Sequence, residues 1–218
     1  MIQVIVQNSH PVLRKKAAPV PLSDIGSARL KKNLRDMQAA LETQDDGVAL
    51  AAPQISVSLR IFIVSKAALG KSPLSRGVPE SARGRGISPS KGSTAVFGRR
   101  GVTPSDLKDS ATSLSREDTK ELKKAAGYLT FINPVITKLS REKTLVDEGC
   151  LSVRPLYGKV KRSKKAAIQA YDEHGKRFTR GASGLLAQIF QHECDHLDGV
   201  LFTDKASNLR ELPPTSAD

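Results

Sequence analysis

The sequence has no tryptophan, and aromatic residues make up only 4% of its 218 positions. That leaves little with which to stack nucleic-acid bases. Its two cysteines exclude a disulfide framework. No apolar run approaches the roughly eighteen residues a transmembrane helix needs. The segment Met1 to Val6 mixes Gln with Ile and Val before His10-Pro11, without the basic and apolar regions of a secretory signal. Acidic residues are also in deficit: 22 Asp+Glu against 35 Lys+Arg give a formal net charge of +13. That balance points to a polyanion nearby, either nucleic acid or an anionic surface. Together these absences predict a soluble, reduced, intracellular chain with no membrane partner. Its length suits one domain, with or without an appendage.

Composition is uneven along the chain. Residues 66–127 are rich in Ser, Gly and Pro and contain one aromatic, Phe97. They carry +7 of the net charge. A stretch such as Ser81-Ala82-Arg83-Gly84-Arg85-Gly86 has no hydrophobic period and little to bury against its ordering entropy. We read 66–127 as a basic, low-complexity insertion, far longer than an ordinary loop, with a helix expected over Ser115 to Ala126.

The flanking regions are patterned. Leu30, Leu34, Met37 and Leu41 recur at helical spacing after a start signal at Pro21 to Asp24. Arg60–Val64, Tyr128–Ile132, Val135–Leu139, Lys143–Val146, Ala166–Tyr171 and Arg177–Thr179 read as strands. The last two flank a hairpin signal at Asp172 to Gly175. Ser183 then precedes Leu185, Leu186, Ile189, Phe190 and Leu197, a helix of about four turns. Strands come in runs with helices grouped around them. The expected fold class is therefore α+β, with small mixed or antiparallel sheets packed around the second helix.

That helix carries Gln191-His192-Glu193-Cys194-Asp195-His196. Histidines four apart on a helix point the same way, which suits two ligands of one metal ion. Glu193 lies about 100° around the helix. There it is poorly placed as a third ligand but able to take a proton from water acidified by the metal. A surface helix with two unrelated histidines is the alternative. Against it, two of only four His in the chain sit in this pattern. His10 and His174 read as a loop and a turn residue without a role.

H-E-x-x-H alone does not name an enzyme. A metzincin protease would need His where Phe202 stands. A thermolysin-like protease would need a Glu on a later helix, and Glu211 lies in a Pro-rich tail. Cys150, in Glu148-Gly149-Cys150-Leu151-Ser152, is the remaining soft donor. As a thiolate it completes a Cys-His-His set with an open fourth position; otherwise it is a buried structural thiol. Cys194, between the histidines and pointing away, fits the structural role better. A third element, Gly47-Val48-Ala49-Leu50-Ala51-Ala52-Pro53-Gln54, offers small residues for a close backbone approach and an amide at Gln54.

Taken together, the three elements resemble peptide deformylases. That family carries Gly-x-Gly-Leu-Ala-Ala-x-Gln, Glu-Gly-Cys-x-Ser and Gln-His-Glu-x-Asp-His in this order. The second and third are complete here, and the first has one change. Pro11-Val12-Leu13-Arg14 and Asn133-Pro134 also look like the family. The resemblance covers residues 1–65 and 128–204. It implies a single catalytic domain over 1–204, interrupted by the 66–127 insertion, with a short tail at 205–218.

The resemblance implies a metallohydrolase that removes the N-formyl group from the initiator methionine of nascent polypeptides and releases formate. Cys150, His192 and His196 would bind the metal, Fe(II) in the family, with Zn, Ni or Co as substitutes. Glu193 would be the general base. Gln54 and the backbone N–H of Leu151 would stabilise the oxyanion. The substrate would run between the Gly47–Leu50 segment (Gly47, Val48, Ala49, Leu50) and the strand after Cys150. Its methionine would enter a pocket with Val48, Leu151, Gln188 and Ile189. Two local departures are Ala49, where the family has a second Gly, and Tyr157, where many members have an Arg. A methyl at position 49 would crowd the substrate backbone if positive φ were needed. The expected partners are N-formylmethionyl nascent peptides, with a ribosome contact through the basic insertion. The N-terminus has no transit-like character, which points to a bacterial cytoplasm over an organelle. A zinc endopeptidase and a nucleic-acid-binding protein are the rival readings.

Overall fold

The computed structural model describes residues 3–69 and 127–211. The helix expected over 115–126, and most of the insertion, lie outside the described residues. The patterned regions build two antiparallel sheets. One has five strands in the order β1-β2-β3-β6-β7: β1 (Ala49–Ala51), β2 (Ile61–Ser65), β3 (Tyr128–Leu139), β6 (Lys165–Tyr171) and β7 (Arg177–Ser183). The other has three in the order β4-β5-β8: β4 (Lys143–Gly149), β5 (Leu156–Ser163) and β8 (Ser207–Glu211). Helix α1 (Ala28–Glu42) and helix α2 (Gly184–Leu197) pack against them. The fold is α+β.

Strand β2 explains the layering. All five of its residues are buried, and its side chains alternate between two cores. Ile61 and Ile63 meet Leu30, Leu34, Met37 and Leu41 of α1. Phe62 and Val64 meet Phe131 and, from α2, Ile189, Phe190 and Leu197. The rings of Phe62 and Phe131 stack with centroids 4.5 Å apart, and Phe190 meets Phe131 edge-on at 5.2 Å. A third cluster of Leu13, Val153, Val160, Leu201 and Phe202 ties the N-terminal segment to the three-stranded sheet.

Four details differ from the sequence reading. The start signal at Pro21–Asp24 forms a separate 3₁₀ turn over Leu22–Asp24. The cap of α1 is Ser27, whose Oγ accepts from Leu30 N at 3.2 Å. The two strands expected either side of Asn133-Pro134 are one strand, β3. Asn133 bends it at φ 49°, and its amide makes a reciprocal pair of 2.7 Å bonds with the Val20 backbone. Such local side-chain bonding stabilises a kink that would otherwise end a strand. His10 is not idle: its Nδ1 accepts from Val12 N at 3.2 Å and caps the 3₁₀ turn Pro11–Arg14. Finally, residues 207–211 of the supposed tail form β8, hydrogen-bonded to β5.

The ends of the inserted region meet. Ser65 pairs with Tyr128 across β2 and β3, and Lys66 N donates to Gly127 O at 3.1 Å. The chain therefore leaves and re-enters the sheet at one hairpin position. Among the described residues, no helix is long and apolar enough to cross a membrane.

Candidate active site

Helix α2 crosses behind the sheets and presents His192 and His196 one turn apart. Strand β4 ends at Gly149, which delivers Cys150 to the same point. Gly149 is required there: a Cβ would fall 2.4 Å from the Tyr157 ring, its partner across β4 and β5. The Cys150 Sγ lies 3.1 Å from His196 Nε2. Donor atoms of Cys150, His192 and His196 all lie within 4.8 Å of one another. One thiolate and two imidazoles at that spacing suit a single transition-metal ion.

The surroundings prepare these donors. Burial resists ionisation of the Cys150 thiol, but the two imidazoles, His196 foremost, bring it down to about 5. The thiol is thereby favoured as a thiolate, the form that binds metals. His192 Nδ1 lies 3.0 Å from Glu148 Oε2, which fixes that ring and leaves Nε2 for a metal. Glu148 is gripped by Arg162 through Nε at 2.7 Å and Nη2 at 2.9 Å. Arg162 Nη1 reaches Asp195 at 2.6 Å, and Lys205 holds the other Asp195 oxygen at 2.7 Å. Burial would raise the Glu148 carboxyl, but Arg162 and His192 outweigh it and lower it to about 2.

Glu193 has the opposite environment. It is buried, and its Oε2 has no hydrogen-bond partner among the described residues. Desolvation pushes its carboxyl up to about 7, against the pull of the two histidines. An acid poised near neutrality can both accept and return a proton.

Gln54 reaches the cluster from the 3₁₀ turn Ala52–Ile55 that follows β1. Its Oε1 accepts from Ala51 N at 2.8 Å, which orients the amide. Its Nε2 then points to Ser152 Oγ at 3.1 Å and Cys150 Sγ at 3.5 Å. The Leu151 N–H has no acceptor among the described residues. Two donors are thus available beside the thiolate.

The Gly47–Leu50 segment lies in the wall beside this cluster. Ala49 is extended and pairs with Val64, so its methyl group meets no requirement for positive φ. The Leu50 side chain is fully buried beneath α1, so only its backbone can face a ligand. Val48 and Ile189 pack together in the second core, and Gln188 Nε2 ties α2 to Asp147 O at 3.0 Å. The wall opposite needs correction. The start of strand β5, the stretch that follows Cys150 most closely, is bonded on one side to β4 and on the other to β8, so it has no edge to offer. The edge strands are β1 and β7 in one sheet and β4 and β8 in the other; of these, β1 leads into Gln54 and β4 leads into Cys150. Cys194 is buried among Phe190, Leu197 and Val64, and burial raises its thiol to about 12. A cavity of about 520 Å³ between α1 and the start of β3 touches none of these residues.

The sequence shows Glu148 and Asp195 only as motif residues and gives no role to Arg162 and Lys205. One signal was available. Val160 and Arg162 occupy the same face of β5, so an arginine stands where alternation demands an apolar residue.

Comparison with known proteins agrees with this geometry. The family model described as polypeptide deformylase matches residues 2–77 and 107–211. A chloroplastic/mitochondrial peptide deformylase 1A of Arabidopsis thaliana is 33% identical over 202 residues, covering 92% of this chain and 60% of that protein. A peptide deformylase of Symbiobacterium thermophilum is 33% identical over 208 residues, covering 95% of this chain and 68% of that one. The crystal structure of a peptide deformylase from Legionella pneumophila superposes with a TM-score of 0.64 at 27% identity, covering 95% and 88% of the two chains. The chain spans less than two thirds of the plant relative's length. With the three motifs folded into one cluster and a family match spanning both sides of the insertion, the chain belongs to the polypeptide deformylase family.

Proposed function

We propose that this protein is a metal-dependent hydrolase that removes the formyl group from N-formylmethionyl peptides. The observation that carries the reading is the convergence of Cys150, His192 and His196 beside a buried, partnerless Glu193. Cys150 Sγ and one nitrogen from each histidine would hold the ion, Fe(II) by family likeness, with Zn, Ni or Co acceptable to the same donors. When bound, the metal acidifies water and polarises the formyl oxygen.

The chain's own residues do the rest. A peptide enters as an added strand between the free edges of β1 and β4. Backbone bonds along Gly47–Leu50 hold it without reading its side chains, and Val48, Leu151, Gln188 and Ile189 surround its methionine. Glu193 takes a proton from the attacking water. Gln54 Nε2 and the Leu151 N–H stabilise the charge that develops on the formyl oxygen. The C–N bond then breaks, formate departs, and Glu193 returns its proton to the amine.

The catalytic domain runs through both sides of the 66–127 segment and takes in β8, which pairs with β5. The meeting of Lys66 with Gly127 supports that continuity. The basic segment suits a contact with ribosomal RNA, an attraction that weakens steeply with salt. A bacterial cytoplasm is the compartment we favour. Curated relatives include both bacterial and plastid or mitochondrial proteins.

The test is formate release from a formyl-Met-Ala-Ser peptide by protein prepared anaerobically with Fe(II). Glu193→Ala should lower kcat by about 10²–10⁴-fold. Cys150→Ser should lose metal while Cys194→Ser keeps it. Intact protein with metal bound that releases no formate would refute the reading.

A further inference from the structure

Two bridges join the chain around β1 to the loop that follows β4. In one, Gln54 reaches across to Cys150 and Ser152. In the other, Asp46, one residue before Gly47, forms an ion pair with Arg154, two residues after Ser152. The pair joins the two walls along which a substrate would lie. Its side chains are 44% and 52% exposed, so water screens it and an incoming charge can compete for it.

The two partners are not equally committed. Arg154 engages Asp46 through Nη2 alone. Its Nε and Nη1 groups donate to nothing among the described residues. A guanidinium is a planar fork of five N–H donors, so an oriented, half-used fork can accept a second carboxylate. Asp46, by contrast, already faces a cation, and a second cation approaching it would meet the Arg154 charge. An extended peptide advances about 3.3 Å per residue. Asp46 directly precedes the Gly47–Leu50 segment, so residues that follow the methionine along that segment come within reach of the bridge.

We propose that Arg154, held by Asp46 beside the Gly47–Leu50 segment, is a specificity-determining residue that favours formylated peptides with a carboxylate in the few residues after methionine. The inference rests on the deformylase reading above.

The experiment uses the metal-loaded full chain and C-terminally amidated peptides, so that no terminal carboxylate confuses the result. Formyl-Met-Ala-Ser-amide is the neutral reference. Asp or Lys replaces Ala or Ser in its companions. The acidic peptides should exceed the neutral one by about three- to tenfold in kcat/KM, chiefly through KM, and 0.5 M salt should erase the gain. Arg154→Gln should bring the acidic-to-neutral ratio to about one, Arg154→Lys should restore part of it, and Arg154→Glu should turn the preference toward the Lys peptides. A merely structural bridge would change all peptides alike. An acidic-to-neutral ratio that stays within about twofold of wild type in Arg154→Gln overturns the proposal. So does a wild-type protein indifferent to charge. No turnover of even the neutral reference would instead remove the deformylase reading on which the proposal stands.

Discussion

The two supports of the Cys150–His192–His196 cluster are built from opposite materials. The five-stranded sheet and its helices are held by apolar contacts, with Phe62, Ile63, Met37 and Phe190 fully out of water. Behind His192, the three-stranded sheet contributes a buried ion set: Glu148 at 2% exposure and Arg162 at 5%, joined to Asp195 and then to Lys205 near the surface. Apolar packing stabilises but is non-directional, so it sets where α2 lies and not how an imidazole is turned. Hydrogen-bonded charges fix direction, at a desolvation cost that a well-packed apolar replacement would avoid. The contrast teaches that stability and ligand geometry are supplied by different parts of this small molecule.

The largest effect should come from breaking the ionic side. Arg162→Met leaves the buried Glu148 and the half-buried Asp195 each without one cation. It should destabilise by about 3–5 kcal/mol. Metal affinity should fall by about 10–100-fold as His192 loses its fixed support. Chelator competition and urea unfolding measure the two losses. If affinity held while stability fell, the ion set would be structural only, and the division of labour would fail.

A smaller effect should come from the apolar side, and it should be one-sided. Ile63→Val removes one buried methylene group and should cost about 0.5–1.5 kcal/mol. The metal affinity of the folded protein should stay within about twofold of wild type, because Cys150 packs against the third cluster and the apolar face of α2 enters the second. A drop in affinity as large as that of Arg162→Met would show that the two supports act as one.

The smallest effect concerns charge on the apolar side. Tyr128 packs against the α1 cluster and its hydroxyl donates to Glu42 Oε1 at 3.1 Å. Burial first, and then the Glu42 charge and hydrogen bond, raise its phenol well above the ordinary value of 10. With the folded value raised, its contribution to stability is complete below pH 10 and declines as pH rises past it. Urea midpoints at pH 8 and pH 11 should therefore converge slightly in Tyr128→Phe relative to wild type. Equal losses in both proteins would show that the phenol is not protected by the fold.

Some of this was legible in the chain. The period of Leu30, Leu34, Met37 and Leu41 gave α1, because a helix against a sheet must show one apolar face. Spacing also placed His192 and His196 together, because four residues is one helical turn. Strand β8 was not legible. Its five residues are all exposed, so no buried face marks the pattern, and only bonding to β5 makes it a strand. Arg162 was readable only as a breach of alternation, and its partners lie 14 and 33 positions away.

The sequence by itself determined the donor types, the helix that presents two of them, and the family likeness carried by three short motifs. Such features are local, and local geometry follows from backbone periodicity. Only the tertiary structure decided the rest. It brought Cys150 within 3.1 Å of His196, 46 residues away. It left β1 and β4 as edge strands leading into Gln54 and Cys150, and it joined Asp46 before β1 to Arg154 after β4. Contacts between distant segments are set by how sheets and helices bury their apolar faces together, and no window along the chain contains that information.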